Sequence, residues 1–79
     1  MALKVFLAAT LRRFVSGYDA GMGIAVDMTP GSCVRDVATR LGIPEDEVRV
    51  IMVNGVATRW DARLGADDRV AFFPAVGGG

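Results

Sequence analysis

The chain has 79 residues, with nine Lys or Arg balanced by nine Asp or Glu and no histidine. A chain of this length forms one domain, and folding buries only about 60–65% of its surface. A net charge of zero gives no general attraction to nucleic acid or to an anionic membrane. Because histidine is the usual acid or base at neutral pH and the commonest metal ligand, we expect neither a catalytic residue nor a metal site.

The cysteine content and the apolar segments indicate a cytoplasmic protein. Cys33 is the only cysteine, so it can form neither an internal disulfide nor a cysteine-rich metal cluster, which fits a reducing compartment. The apolar stretch 5–11 is far shorter than the roughly 20 residues that span a bilayer. Arg12 and Arg13 follow this stretch instead of preceding it, which is not the order of an export signal.

The first 29 residues have the pattern of two strands joined by a turn. Aliphatic residues occupy every second position over residues 3–8 and again over residues 24–29, which is the period of a strand. Residues 16–23 contain three glycines and predict a flexible turn. We therefore expect a hairpin.

The next segment predicts a short amphipathic helix of about three turns. Its apolar residues lie at positions i, i+3, i+4 and i+7: Val34, Val37, Ala38 and Leu41. Ser32 or Cys33 is expected at the N-cap, and Gly42 with Pro44 ends the helix. Such a helix must pack its apolar face against a sheet.

The remaining residues predict three more strands. Residues 48–53 have strand character, and Asn54-Gly55 is the strongest short hairpin signal, because both positions of a type I′ turn need a positive φ. Residues 56–60 are expected to return as a strand. A turn-rich stretch then leads to the last strand, residues 70–73.

The element order predicts an α+β fold, the ubiquitin-like β-grasp, in which a mixed sheet of about five strands packs on one helix. In that fold the first and last strands lie side by side and parallel in the middle of the sheet. We expect the domain to span residues 1–76. Residues 77–79 are expected to form a flexible glycine tail that leaves from the centre of the sheet.

The glycine run Gly77-Gly78-Gly79 is a candidate functional group. Glycine tolerates almost any φ and ψ, so such a tail can thread into the narrow active site of a partner enzyme. The Gly79 carboxyl group is ionised at neutral pH, and a carboxylate can attack an activated phosphate. The alternative is that these glycines are only a frayed chain end.

Residues 64–79 resemble the end of the MoaD/ThiS sulfur carriers. Those proteins typically end in a leucine, a Gly-Asp turn, a Val-x-Phe-Phe-Pro-Pro-Val strand and a Gly-Gly terminus. Residues 5–12 are similar to the family's first strand, residues 33–37 to its helix start and residues 53–55 to its hairpin. The resemblance covers essentially the whole chain, and the C-terminal block is its specific part.

Four positions depart from the family pattern. Asp67 stands where the turn glycine is usual, Ala75 replaces the second proline, and Gly77 fills a variable position. Cys33 occupies the position of a threonine that often caps the helix. A helix N-terminus can lower the pKa of a thiol, but Cys33 has no predicted base beside it, so we expect a half-buried structural cysteine.

The resemblance implies that the protein carries sulfur and binds no cofactor itself. A ubiquitin-activating-type adenylyltransferase, MoeB/ThiF-like, uses ATP to adenylate Gly79, with Gly77 and Gly78 threaded into its active site. A sulfur donor then replaces AMP and leaves a thiocarboxylate. The acceptor is the large subunit of molybdopterin synthase or, as an alternative, thiazole synthase or an enzyme of another sulfur-requiring pathway. A further alternative is a ubiquitin-like modifier of other proteins.

A partner also needs a docking surface near the tail. If Val70 and Phe72 face the helix, Phe73 faces the other way, toward Phe6 on the first strand. The expected docking residues are Phe6, Phe73, Pro74 and Val76. The alternative is that Phe6 and Phe73 only cover each other, and Trp60 belongs either to the hairpin or to the same surface.

Overall fold

The computed structural model describes residues 1–75, which form one five-stranded sheet and one α-helix. In chain order the elements are β1 (Ala2–Leu7), a 3₁₀ helix (Ala9–Phe14), β2 (Ile24–Asp27), α1 (Val34–Leu41), a 3₁₀ turn (Glu45–Glu47), β3 (Val50–Val53), β4 (Val56–Ala57) and β5 (Arg69–Phe73). Across the sheet the strand order is β2-β1-β5-β3-β4. The predicted α+β class and β-grasp arrangement are confirmed.

The two central strands are the first and the last. β1 and β5 are parallel, with Val5 opposite Val70 and Leu7 opposite Phe72. All other neighbouring strands are antiparallel. The predicted hairpin between β3 and β4 turns at Asn54 and Gly55, whose φ values of 52° and 81° are those of a type I′ turn.

The core lies between α1 and one side of the sheet, which we call the inner face. The fully buried side chains are Val5, Leu11, Val34, Val37, Val70 and Phe72. The helix begins as predicted after Cys33, whose backbone N–H donates to the Asp36 carboxylate at 2.9 Å. It ends at Gly42, which has a φ of 74° in the left-handed region.

A 3₁₀ helix was not expected after β1. The strand ends at Leu7, and Ala9, with a φ of 47°, starts a tight turn of six residues. This turn buries Leu11 completely and closes one end of the core. Neither a period of two nor one of 3.6 residues marks so short an element, which is why the pattern did not show it.

The predicted strand over residues 56–60 was too long. Only Val56–Ala57 pairs with β3. The chain then leaves the sheet because its carbonyl groups bond the first turn of α1: Trp60 accepts from the Arg35 N–H at 2.9 Å and Ala62 accepts from the Val34 N–H at 3.0 Å. These bonds satisfy N–H groups that have no partner within the helix.

Candidate functional site: the outer face of the sheet

β5 is hydrogen-bonded on both sides up to its last residue. The Phe72 carbonyl accepts from the Ala8 N–H at 3.1 Å, and the Phe73 carbonyl accepts from the Arg49 N–H at 2.7 Å. Pro74 follows and is half-buried. The predicted site residues Val76, Gly77, Gly78 and Gly79 lie outside the described residues. The central strand therefore brings Pro74 to the border of the sheet.

The side of the sheet that faces away from α1, which we call the outer face, is apolar at its centre. Its central side chains come from alternate positions of β1, β5 and β3 and are Phe6, Ala71, Phe73, Val50 and Met52. Phe73 is 36% exposed and Val50, directly opposite it, is 43% exposed. The predicted orientation of β5 is confirmed, because Phe72 is buried on the inner face while Phe73 is exposed.

Four of these side chains, all except Val50, line an open groove of about 590 Å³. Its lining residues are Phe6, Met52, Asn54, Gly55, Arg69, Ala71 and Phe73. Phe6 and Phe73 thus belong to one surface, as expected, and Phe6 does not remove Phe73 from solvent. An exposed apolar groove of this kind is typical of an interaction surface.

Phe6 has close neighbours at Arg69 and Gly23. The Arg69 guanidinium lies 5.8 Å from the centroid of the Phe6 ring. Gly23, with a φ of 70°, approaches the ring so closely that a Cβ there would lie 2.9 Å from Cε1 of Phe6. Phe6 therefore has a fixed position in the groove, and a substitution at Gly23 would disturb it.

Trp60 does not belong to the outer face. Its ring stacks on Phe72 with the centroids 5.8 Å apart and an angle of 25° between the planes. Since Phe72 points into the core, Trp60 covers the inner face. This contact excludes Trp60 from the docking surface, one of the two roles that the sequence left open.

A polar network ties the β3-β4 hairpin to the turn before β5. The Asn54 amide donates to the Asp68 carboxylate at 2.9 Å, and the Asn54 side-chain oxygen accepts from the Arg69 N–H at 3.0 Å. The Gly65 N–H donates to the same carboxylate at 2.7 Å. These donors, Gly65 first, lower the pKa of Asp68 below its usual value.

Two of the residues that depart from the family pattern, Asp67 and Cys33, fit the structure. Asp67 has a φ of 66°, the left-handed conformation that a turn glycine would adopt, and its N–H donates to the Ala2 carbonyl at 2.9 Å. Cys33 is half-buried at the helix start. The pKa of Asp36 is lowered, first by the Cys33 backbone N–H.

Residues 1–75 contain no cluster of three or more His, Cys, Asp or Glu side chains arranged to hold a metal ion. No helix within this described part of the chain has the length and apolar character that crossing a membrane requires.

The family model described as Mut7-C ubiquitin matches residues 1–77. The chain belongs to the Mut7-C ubiquitin family. This membership confirms the ubiquitin-like resemblance of the sequence and agrees with the β-grasp topology. No curated protein matches the chain.

Solved structures share the fold over nearly the whole chain. SAMP1 from Haloferax volcanii is 22% identical with a TM-score of 0.77, and the alignment covers 100% of both chains. Another structure of H. volcanii small archaeal modifier protein 1 is 23% identical with a TM-score of 0.72, covering 95% of this chain and 98% of the other. A candidate molybdopterin converting factor, subunit 1, from Pyrococcus furiosus is 26% identical with a TM-score of 0.71, covering 96% and 99%.

Proposed function

We propose that this member of the Mut7-C ubiquitin family is a sulfur carrier whose reactive group is the carboxylate of Gly79. The observation that carries the proposal is the position of β5. This strand lies in the middle of the sheet and ends at the exposed Phe73, and only residues 74–76 separate it from the glycine run in the sequence. The likeness to a candidate molybdopterin converting factor, subunit 1, supports the same role.

The chemistry requires two steps at one carboxyl group, the first at its oxygen and the second at its carbon. The Gly79 carboxylate attacks the α-phosphorus of ATP in the partner's active site, and pyrophosphate leaves. A sulfur donor of the persulfide class then attacks the acyl-adenylate and AMP leaves. A second thiol of the donor system cleaves the sulfur–sulfur bond, which yields a thiocarboxylate and a disulfide. The carrier supplies the carboxylate and the recognition surface, and its partners supply the catalysis.

We assign recognition to the outer face. A ubiquitin-activating-type adenylyltransferase would seat apolar side chains in the groove at Phe6 and Phe73 and contact Pro74 and Val76 on the way to the tail. Gly77 and Gly78 would then pass through the narrow entrance of its active site, which excludes larger residues. The single cysteine fits action in the reducing cytoplasm.

Two acceptors remain to be distinguished. We favour the large subunit of molybdopterin synthase, because the 26% identical structure is described as a molybdopterin converting factor subunit. Thiazole synthase is the alternative. Co-purification of the tagged carrier with one of these two purified enzymes, using Phe73→Ala as a control that weakens docking, would separate them.

A ubiquitin-like modifier of other proteins is the second candidate function, because SAMP1 and this chain share a fold. A sulfur carrier and a protein modifier would both form the Gly79 acyl-adenylate. They differ in the nucleophile that then attacks this adenylate. A modifier forms conjugates that appear as larger bands on immunoblots and disappear when Gly79 is deleted. Lys4 is the only lysine of the chain, so chains of the modifier itself could grow at one position only.

Intact-protein mass spectrometry tests the proposal. The 79-residue protein is incubated with the cognate adenylyltransferase, ATP and a persulfide donor. We expect a mass gain equal to the replacement of one oxygen by sulfur. Deletion of Gly79 should abolish the gain without changing the thermal unfolding of the domain. Full-length protein that yields neither adenylate nor thiocarboxylate would contradict the proposal.

A further inference from the structure

Two cations lie side by side on the outer face. Lys4 of β1 and Arg69 of β5 are direct partners in the register of the two central parallel strands. Arg69 is exposed and Lys4 is half-buried. Like charges placed opposite each other on neighbouring strands repel and destabilise a sheet. The fold therefore keeps two like charges in register beside the apolar centre of its open face.

No carboxylate of the described residues forms an ion pair with Lys4 or Arg69. The ion pairs formed within residues 1–75 join the N-terminus to Asp27, Arg13 to Glu47 and Arg35 to Glu45. Asp67 lines the same depression as Lys4 and Arg69 without forming an ion pair with either. The Asp68 carboxylate is occupied by the Gly65 N–H and the Asn54 amide.

The cation pair lies next to the apolar groove. Arg69 lines both the groove that contains Phe73 and the depression that contains Lys4. A complementary surface must therefore offer a carboxylate next to apolar side chains. A second copy of this chain, docked through the same face with the two-fold axis at the cation pair, would place cations against cations and is disfavoured.

We infer that Lys4 and Arg69 together receive a carboxylate of an aspartate or glutamate on the activating enzyme while apolar side chains of that enzyme fill the groove. This inference rests on the proposed function. Partial burial on docking strengthens such a charge pair, because desolvated charges are screened less than exposed ones. The pair thus serves recognition at a small cost to the stability of the free domain.

The test is ATP–pyrophosphate exchange by the cognate adenylyltransferase with the carrier as the varied substrate. For Lys4→Gln and for Arg69→Gln we expect the KM of the carrier to rise about fivefold, with kcat unchanged. Lys4→Arg should restore the wild-type KM. Raising the salt concentration should increase the wild-type KM more than that of the double variant, because fewer charges remain to be screened.

Two comparisons separate recognition from folding. Arg40→Gln removes an exposed cation from α1, on the opposite side of the sheet, and should leave KM unchanged. Lys4→Gln should have a thermal midpoint equal to or above the wild-type value, because it relieves the repulsion. A raised KM together with a lowered midpoint would indicate a structural role and overturn the inference.

The remaining outcomes are also decisive. If wild type is adenylated and the KM values of both glutamine variants equal the wild-type value, the inference fails and the proposed function stands. If the wild type is never adenylated, both fail. If sedimentation shows a wild-type dimer that Lys4→Gln alters, the face binds a second copy, and the inference is wrong.

Discussion

One strand, β5, contributes side chains to both faces of the sheet, and they are buried on one face and exposed on the other. Phe72 and Phe73 are adjacent and chemically identical, yet Phe72 is 0% exposed against α1 and Trp60, whereas Phe73 is 36% exposed. The inner face is covered by the helix, and the outer face is left open. In a domain of this size, one face must supply the stability so that the other can serve binding.

The largest difference in stability is expected between the single replacements of Phe72 and Phe73 by alanine. Phe72→Ala removes a fully buried ring and should lower the free energy of unfolding by about 3–5 kcal/mol. Phe73→Ala should cost less than about 1 kcal/mol, since the ring is already partly in water. Urea denaturation followed by circular dichroism measures both.

A domain of this size has only a small reserve of stability, so Phe72→Ala is expected to be largely unfolded at 37 °C. Phe72→Leu keeps most of the apolar volume and gives a measurable intermediate value. Equal losses at positions 72 and 73 would show that the outer face also belongs to the core and would break the comparison.

The division into two faces could be predicted from the sequence because alternation along a strand determines it. Val70 and Phe72 were assigned to the helix side, and both are 0% exposed. The Asn54-Gly55 turn was predicted for a similar reason: its residue types are local requirements of the backbone. Local patterns of this kind need no knowledge of distant contacts.

Features that depend on distant partners could not be predicted. The strand after Asn54-Gly55 stops at Ala57 because the Trp60 and Ala62 carbonyls bond the start of α1. The Lys4–Arg69 pair depends on the register between the two ends of the chain. Charges in a sequence show no pairing of this kind until the strands are aligned.

The outer face also leaves no room for a side chain at Gly23. Gly23→Ala forces a side chain into a φ of 70° and places the new Cβ 2.8 Å from the Val5 carbonyl oxygen and 2.9 Å from the Phe6 ring. We expect a loss of about 1–3 kcal/mol in the free energy of unfolding, together with a displaced Phe6.

Gly17→Ala is the matched control, because Gly17 has a φ of 71° and no atom within 4 Å of a built Cβ. Gly17→Ala measures the backbone strain without a steric clash, so it should lower the free energy of unfolding less than Gly23→Ala. Denaturation curves and the NMR shifts of Phe6 test the difference. Equal costs would mean that the Val5 carbonyl and Phe6 both yield freely, and that the position of Phe6 in the groove is not fixed.

A smaller effect is expected at the polar end of the groove. Asn54→Gly keeps a residue that accepts a positive φ but removes both side-chain hydrogen bonds, to Asp68 and to the Arg69 N–H. We expect a loss of about 1–2 kcal/mol in the free energy of unfolding, because each of the two bonds usually contributes about 0.5–1.5 kcal/mol. Asn54→Ala should lose more, because alanine adds strain at a φ of 52°.

The smallest expected effect is a loss of thermal stability at low pH. It is expected for one carboxylate on each side of the sheet. The pKa of Asp36 at the helix start and that of Asp68 beside the outer groove are both lowered in the folded state. An unfolded aspartate titrates near about 3.9. The stabilisation is therefore fully present above that pH and is lost as the pH falls through the folded pKa values.

Thermal midpoints measured between pH 7 and pH 2 for the wild type, Asp36→Asn and Asp68→Asn test this dependence. Each variant lacks one titrating group, so its midpoint should fall less steeply with acid than that of the wild type. The main donor to the Asp36 carboxylate is the Cys33 backbone N–H, whereas the Asp68 carboxylate accepts from a backbone N–H and the Asn54 amide. If Asp68→Asn keeps the full wild-type slope, neither the Gly65 N–H nor the Asn54 amide stabilises the ionised form of Asp68.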